Sequence, residues 1–303
     1  MKLLLKSFLI PALFLFPLGP AWAEVTALKL IQPVLTDDKE GTMKQPEGIA
    51  CNEGAGFVVA DSGNGRLLNY TFKEGVVGGG TEIKVPQLPY PGRLQMNAKG
   101  EIFVLDGKLR RIGRLNAQGG FIGYLEIQGL PSSAAVVPRS FKLDPQGNIY
   151  LLDIFSERVL VLDPAGKFQR EIKFPTSQGQ SFFSDLAVNI NGDVLLLDSV
   201  NSIIYAAAKD AAAFAPLTKS LKQDMDFPVY LTTDGRGILY VVDQNGGGII
   251  VLDQQGAFRG RMLRMGWKPG FVAYPSQICL NGKGVAFIAD RDNNRVQIFE
   301  VLK

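Results

Sequence analysis

Six times along the chain a short apolar run ends in aspartate: GFVVAD, EIFVLD, NIYLLD, DVLLLD, ILYVVD and VAFIAD. The aspartates are Asp61, Asp106, Asp153, Asp198, Asp243 and Asp290, at intervals of 45, 47, 45, 45 and 47 residues. A repeat of that length is what a chain needs to lay down one four-stranded sheet after another around an axis. Other positions keep step with it. A proline lies 15 residues before five of the aspartates (Pro46, Pro91, Pro138, Pro228, Pro275), with Phe183 in the fourth copy. A glycine lies six residues before five of them (Gly100, Gly147, Gly192, Gly237, Gly284), where two strands need a tight turn, and Gly56 sits one residue closer in the first. The expected fold is all-β: a six-bladed β-propeller of four-stranded antiparallel blades, near residues 46–90, 91–137, 138–182, 183–227, 228–274 and 275–303. The last copy stops after its third strand, while a spare β-rich segment, VTALKLIQPVL, lies ahead of the first copy within residues 24–36. That segment is expected to complete the last blade, closing the ring and covering an exposed strand edge.

Five residues after the Asp comes Arg in four copies (Arg66, Arg111, Arg158, Arg295). The pattern Pro-x-x-apolar, then Gly, then four apolar residues and Asp, then Arg, resembles the NHL-repeat family of propellers, in particular its exported bacterial members. It covers residues 46–302, although the fourth copy lacks both Pro and Arg and the fifth has Gly248 where Arg is expected. The resemblance implies a rigid ring that binds a partner in an exported complex. Between Asp and Arg, recurrence around the ring points to a structural pair within each blade, joined by charge-assisted hydrogen bonds.

Residues 1–23 read as a secretory signal: Lys2 and Lys6, an apolar run over 8–18, then Ala21-Trp22-Ala23. The protein is therefore expected outside the cytoplasm, periplasmic or extracellular, as a single domain over residues 24–303 with no membrane-spanning segment in the mature chain. Without Lys2 and Lys6 the chain carries 30 basic and 29 acidic residues, a net charge of about +1, which leaves no electrostatic footprint for nucleic acid.

Histidine is absent from the chain. That excludes Ser-His-Asp and Cys-His nucleophilic catalysis and His-ligated zinc. It also excludes the histidine chemistry of the streptogramin and peptide-amidating lyases, whose architecture this chain resembles. Positions just after the repeat Pro should rim the central channel, and they differ from blade to blade: Glu47, Arg93, Arg139 and Ser140, Asp185, Tyr230, Gln277. With Trp267, which Gly and Pro surround in RMGWKPGF, they form the candidate ligand- or partner-binding set. The expected function is a non-catalytic binding or scaffold propeller for a protein or cell-envelope ligand, with no cofactor. The alternative is an enzyme resembling the calcium-dependent lactonases, with Glu47 and Asp185 as Ca²⁺ ligands or acid/base groups. Cys51 and Cys279, the only cysteines, fall on the inner strands of blades one and six, and either form a disulfide across the ring closure or stay buried thiols. The segment KDAAAFAPLTKSLKQDMDFP breaks the pattern and is expected as a short helix or an irregular outer strand.

Overall fold

A computed structural model of the chain describes residues 27–54, 56–132, 135–176 and 179–302. Residues 1–23, expected as a secretory signal, lie outside the described residues. Six separate four-stranded antiparallel sheets account for the strands. Blade three shows the plan: Pro138–Leu143 innermost, then Ile149–Asp153, Arg158–Leu162 and Phe168–Lys173. The second and third strands are buried along their whole length, because both faces of a blade pack against neighbours. That is why the sequence shows continuous apolar runs there rather than alternation. The outer strand is half solvated and polar. Glycines at the first turn adopt φ between +78° and +85°, which side chains rarely adopt.

Six buried apolar clusters each fill the joint between two adjacent blades. The joint between blades one and six is aromatic, with Phe57 stacked on Tyr70 at 4.9 Å and tilted against Phe287 at 4.8 Å. In blade six the strand order is Gln277–Leu280, Val285–Asp290, Arg295–Leu302 and then Ala27–Val34. The spare N-terminal segment does complete the last blade, pairing Ala27 with Leu302 and Val34 with Val296. From there the chain runs directly into the inner strand of blade one, Gly48–Cys51. Cys51 and Cys279 form a disulfide across the same joint, with their Cα atoms 5.9 Å apart. The irregular segment of blade four is not helical. Its outer strand shrinks to Ala215–Pro216, paired with Tyr205 and Ala206.

The six repeat aspartates are fully buried. Each accepts a backbone N–H from the segment entering its own blade: Lys44, Tyr90, Val137, Phe182, Phe227 and Ala273 in blade order. Their common task is to tie the crossover to the second strand. The expected Arg partner is present in blades one, three and six, at 2.7, 3.2 and 2.7 Å. In blade two Arg111 turns away to Glu126 and the Tyr124 ring, and Asp106 instead accepts two further N–H groups, from Lys108 and Leu109. In blade five Arg261 from the outer strand takes the place of the missing Arg. An Asp106→Ala variant therefore leaves three N–H groups without their acceptor. It should lose about 2 kcal/mol or more of stability in urea unfolding, and a loss below about 0.5 kcal/mol would contradict the tie.

Candidate functional site

All inner strands begin on one face of the ring, and the second strands end there. In blades two to five a bulge follows the first residue of the inner strand, with register shifts between Pro91 and Arg93, Pro138 and Ser140, Phe183 and Asp185, and Pro228 and Tyr230. A bulge re-aims the side chains beside it. The residue directly after the Pro or Phe then faces the channel mouth, and the next one points down the channel. Glu47, Gly92, Arg139, Ser184, Val229 and Ser276, the first set, all line one pocket of about 400 Å³.

The second set closes the channel below that pocket. Asp185 is fully buried, accepts hydrogen bonds from Ser140 Oγ and from the Leu231 N–H at 2.7 Å, and pairs with Lys142 Nζ at 3.1 Å. Lys142 in turn sits 3.4 Å from the centre of the Tyr230 ring. Gln277 donates to the carbonyls of Ile49 and Leu94, at 2.8 Å each, and so bridges blades one and two. Arg93 spans the channel to the carbonyls of Ser276 and Val229, with its guanidinium 5.1 Å from the Tyr230 ring centre. Blade one contributes no side chain at this level. Gly48 stands there, and a Cβ on it would meet the Gly92 carbonyl oxygen at 1.9 Å.

The mouth is a blind, cationic pocket. Arg93, Arg110, Arg139 and Arg291 line it together with the single carboxylate of Glu47. Glu47 accepts from the Tyr90 hydroxyl at 2.9 Å and from Arg291 at 3.3 Å. Burial, then the hydrogen bond to Glu47, pushes the Tyr90 phenol above its usual value, so Tyr90 remains a donor at neutral pH. Arg139 lies over the Phe182 ring, 4.5 Å from its centre. Burial first, and then the charges of Arg93 and Arg110, hold its guanidinium below the usual arginine value.

Of the residues singled out from sequence, Glu47, Arg93 and Arg139 meet at the mouth, whereas Ser140, Asp185, Tyr230 and Gln277 belong to the plug beneath it, at 3 % exposure or less. In blades three to five a bulge accompanies the inward aim of Ser140, Asp185 and Tyr230; Arg93, at the same position of blade two, also lines the pocket, and Gln277 is buried without a bulge in its strand pair. Trp267 is 75 % exposed on the loop entering blade six, outside the pocket, with Lys268 Nζ 5.6 Å from its ring centre. Sequence reasoning missed Arg110 and Arg291, which follow the repeat Asp by four and one residues. The loop after the Asp crosses the same face as the Pro, so the signal was present.

Glu47 and Asp185 do not fit a calcium site. They lie at different depths, Glu47 is held by Arg291 and Tyr90, and Asp185 is held by Lys142, Ser140 and Leu231. A Ca²⁺ ion needs six to eight oxygens, and no group of three or more acidic or cysteine side chains positioned for a metal occurs among the described residues.

No family model matches the chain, and no curated protein matches it by sequence. Many solved structures share its fold. A gluconolactonase from Xanthomonas campestris aligns over 91% of this chain and 97% of its own, with a TM-score of 0.66 and 15% identity. A catalytically inactive virginiamycin B lyase from Staphylococcus aureus, with quinupristin, aligns over 91% and 100%, with a TM-score of 0.62 and 16% identity. A PQQ-bound aldose sugar dehydrogenase from Streptomyces coelicolor aligns over 91% and 98%, with a TM-score of 0.64 and 13% identity. The chain is thus a six-bladed β-propeller with neighbours among gluconolactonases and virginiamycin B lyases. At these identities the likeness is one of fold. No helix among the described residues is long and apolar enough to cross a membrane.

Proposed function

We propose that this protein is an exported binding propeller of the NHL-repeat type, which receives a ligand in the blind pocket at its channel mouth and serves a protein or cell-envelope partner outside the cytoplasm. The plug carries the reading. With the channel closed below and both nearby carboxylates already paired, the pocket offers a guest guanidinium donors and aromatic faces. Large exposed apolar side chains on the same face, among them Leu109, Phe155, Val200 and Trp267, suit a partner broader than the pocket. Thermal melting against a panel of small ligands tests the pocket. A true ligand at about 100 times its Kd adds about 2.7 kcal/mol of stability, and Tyr90→Ala should abolish that shift. No shift with any compound, or an equal shift in the variant, counts against the mouth.

The neighbours favour a second reading more than they favour the first. Those described above carry enzyme names, and Glu47 is a carboxylate at the mouth that could act as a base in a lactonase or hydrolase. The lyase chemistry does not transfer, since that neighbour is inactivated by replacing a histidine and this chain has none. An assay of aldonolactone hydrolysis, with and without added Ca²⁺, separates the two. Binding without turnover is expected, while turnover lost in Glu47→Gln would establish the enzyme.

A further inference from the structure

The charge balance of the mouth is unequal: four arginines line it against one glutamate, and Asp292, which pairs with Arg291 at 3.0 Å beside the pocket, leaves a net of +2. The glutamate is already shared between Arg291 and Tyr90. Arg93 uses its fork on two backbone carbonyls, which satisfies its hydrogen bonds but does not offset its charge. Arg110 and Arg139 have no carboxylate partner among the described residues. Below them the plug adds Lys142 against Asp185, so no spare negative charge reaches the mouth from underneath.

Like charges gathered in a partly buried pocket repel one another, and lowered dielectric strengthens the repulsion. An anion placed among them removes it. Arginine presents a planar fork of donors that matches carboxylate and phosphate oxygens in pairs, and a guanidinium stacked on a ring keeps its in-plane donors free. Arg139 over Phe182 has that arrangement. Beside it, Phe182 and Phe227 lie nearly parallel with ring centres 6.2 Å apart, and Phe227 and Tyr90 give the pocket apolar walls. A volume of about 400 Å³ is that of a small organic ligand's site.

We infer that the mouth is an oxyanion site, taking a small ligand whose carboxylate or phosphoryl end is held by Arg139, with Arg93 and Arg110 beside it and the aromatic walls against its body. The inference rests on the reading of the mouth as a ligand-binding pocket.

The test uses the mature protein at constant ionic strength, titrated with inorganic phosphate, with succinate and with chloride, and followed by calorimetry and thermal melting. Saturable binding of phosphate or succinate, without a matching response to chloride, is expected. Arg139→Gln should weaken it by about tenfold or more, and Arg110→Gln, an exposed change that does not endanger the fold, should weaken it measurably. Response to phosphate alone identifies a phosphoryl ligand, and response to succinate alone a carboxylate. No saturable response, or one unchanged in Arg139→Gln, overturns the inference. A neutral compound whose shift is lost in Tyr90→Ala but kept in Arg139→Gln would overturn it while leaving the binding pocket intact.

Discussion

Lys142→Met is expected to lower the stability of the ring by about 3–5 kcal/mol, because it strands the carboxylate of Asp185 in the closed channel. Lys142 and Asp185 are 5 % and 0 % exposed, and the ion pair between them is 3.1 Å long. With Lys142 gone, Asp185 keeps only Ser140 and the Leu231 N–H. The fall should appear as a urea midpoint lower by roughly 1–2 M with an unchanged slope. Lys142→Met combined with Asp185→Asn removes both charges, while the new amide can accept the Leu231 N–H through its oxygen and donate through its NH2 to Ser140 Oγ. Most of the loss should then return, since a buried pair is often no more stable than a neutral replacement. If the single variant lost less than about 1 kcal/mol, water would have to reach the pair and the channel would not be plugged.

The second large effect belongs to the joint between the chain ends. The Cys51–Cys279 disulfide has a sequence separation of 228. On the chain-entropy account, a loop that long removes about 5 kcal/mol of conformational freedom from the unfolded chain. Replacing both cysteines with serine is expected to cost 2 to 5 kcal/mol, at the upper end of that range, and to leave the native strand pairing in place. The β-sheet pairing of residues 27–34 with 295–302 does not replace this contribution, because strand pairing acts in the folded state and the crosslink acts mainly on the unfolded one. Equal urea midpoints for oxidised protein and the double serine variant would contradict it. Measured in reducing buffer, the two proteins should converge.

The six blades were legible because their markers are imposed by the backbone. A Gly with positive φ turns the first hairpin, and a buried Asp ties down each crossover through a main-chain N–H. The aspartate recurs in all six blades and the turn glycine in five, so they keep a fixed spacing and can be read from one chain. The closing strand was legible for a related reason: a β-rich segment was left over at one end and a strand was missing at the other. The channel was only half legible. Alternation along a strand predicts which side chains share a face, but a bulge after the first residue changes the aim of the next two. Asp185 and Tyr230 therefore sit in the plug although they were expected at the rim. Arg110 and Arg291 were missed because they occupy loops, where no period marks them. The outer strand of blade four was illegible in detail, since Ala-rich sequence pairs over only two residues.

That one sheet contains both residues 27–34 and 295–302 also sets an order of events during synthesis. Ala27–Val34 leaves the ribosome before any blade exists and has no partner until the last strand follows. At about 5–20 residues per second the wait is roughly 13 to 50 seconds. Blades one to five can form their own hairpins meanwhile, but the ring cannot lock. The export proposed above would gain from that delay, because a polypeptide that cannot finish folding stays loose enough to be threaded through a narrow pore. Circular permutation that joins the ends and opens a different blade-to-blade loop would remove the wait without changing the finished ring.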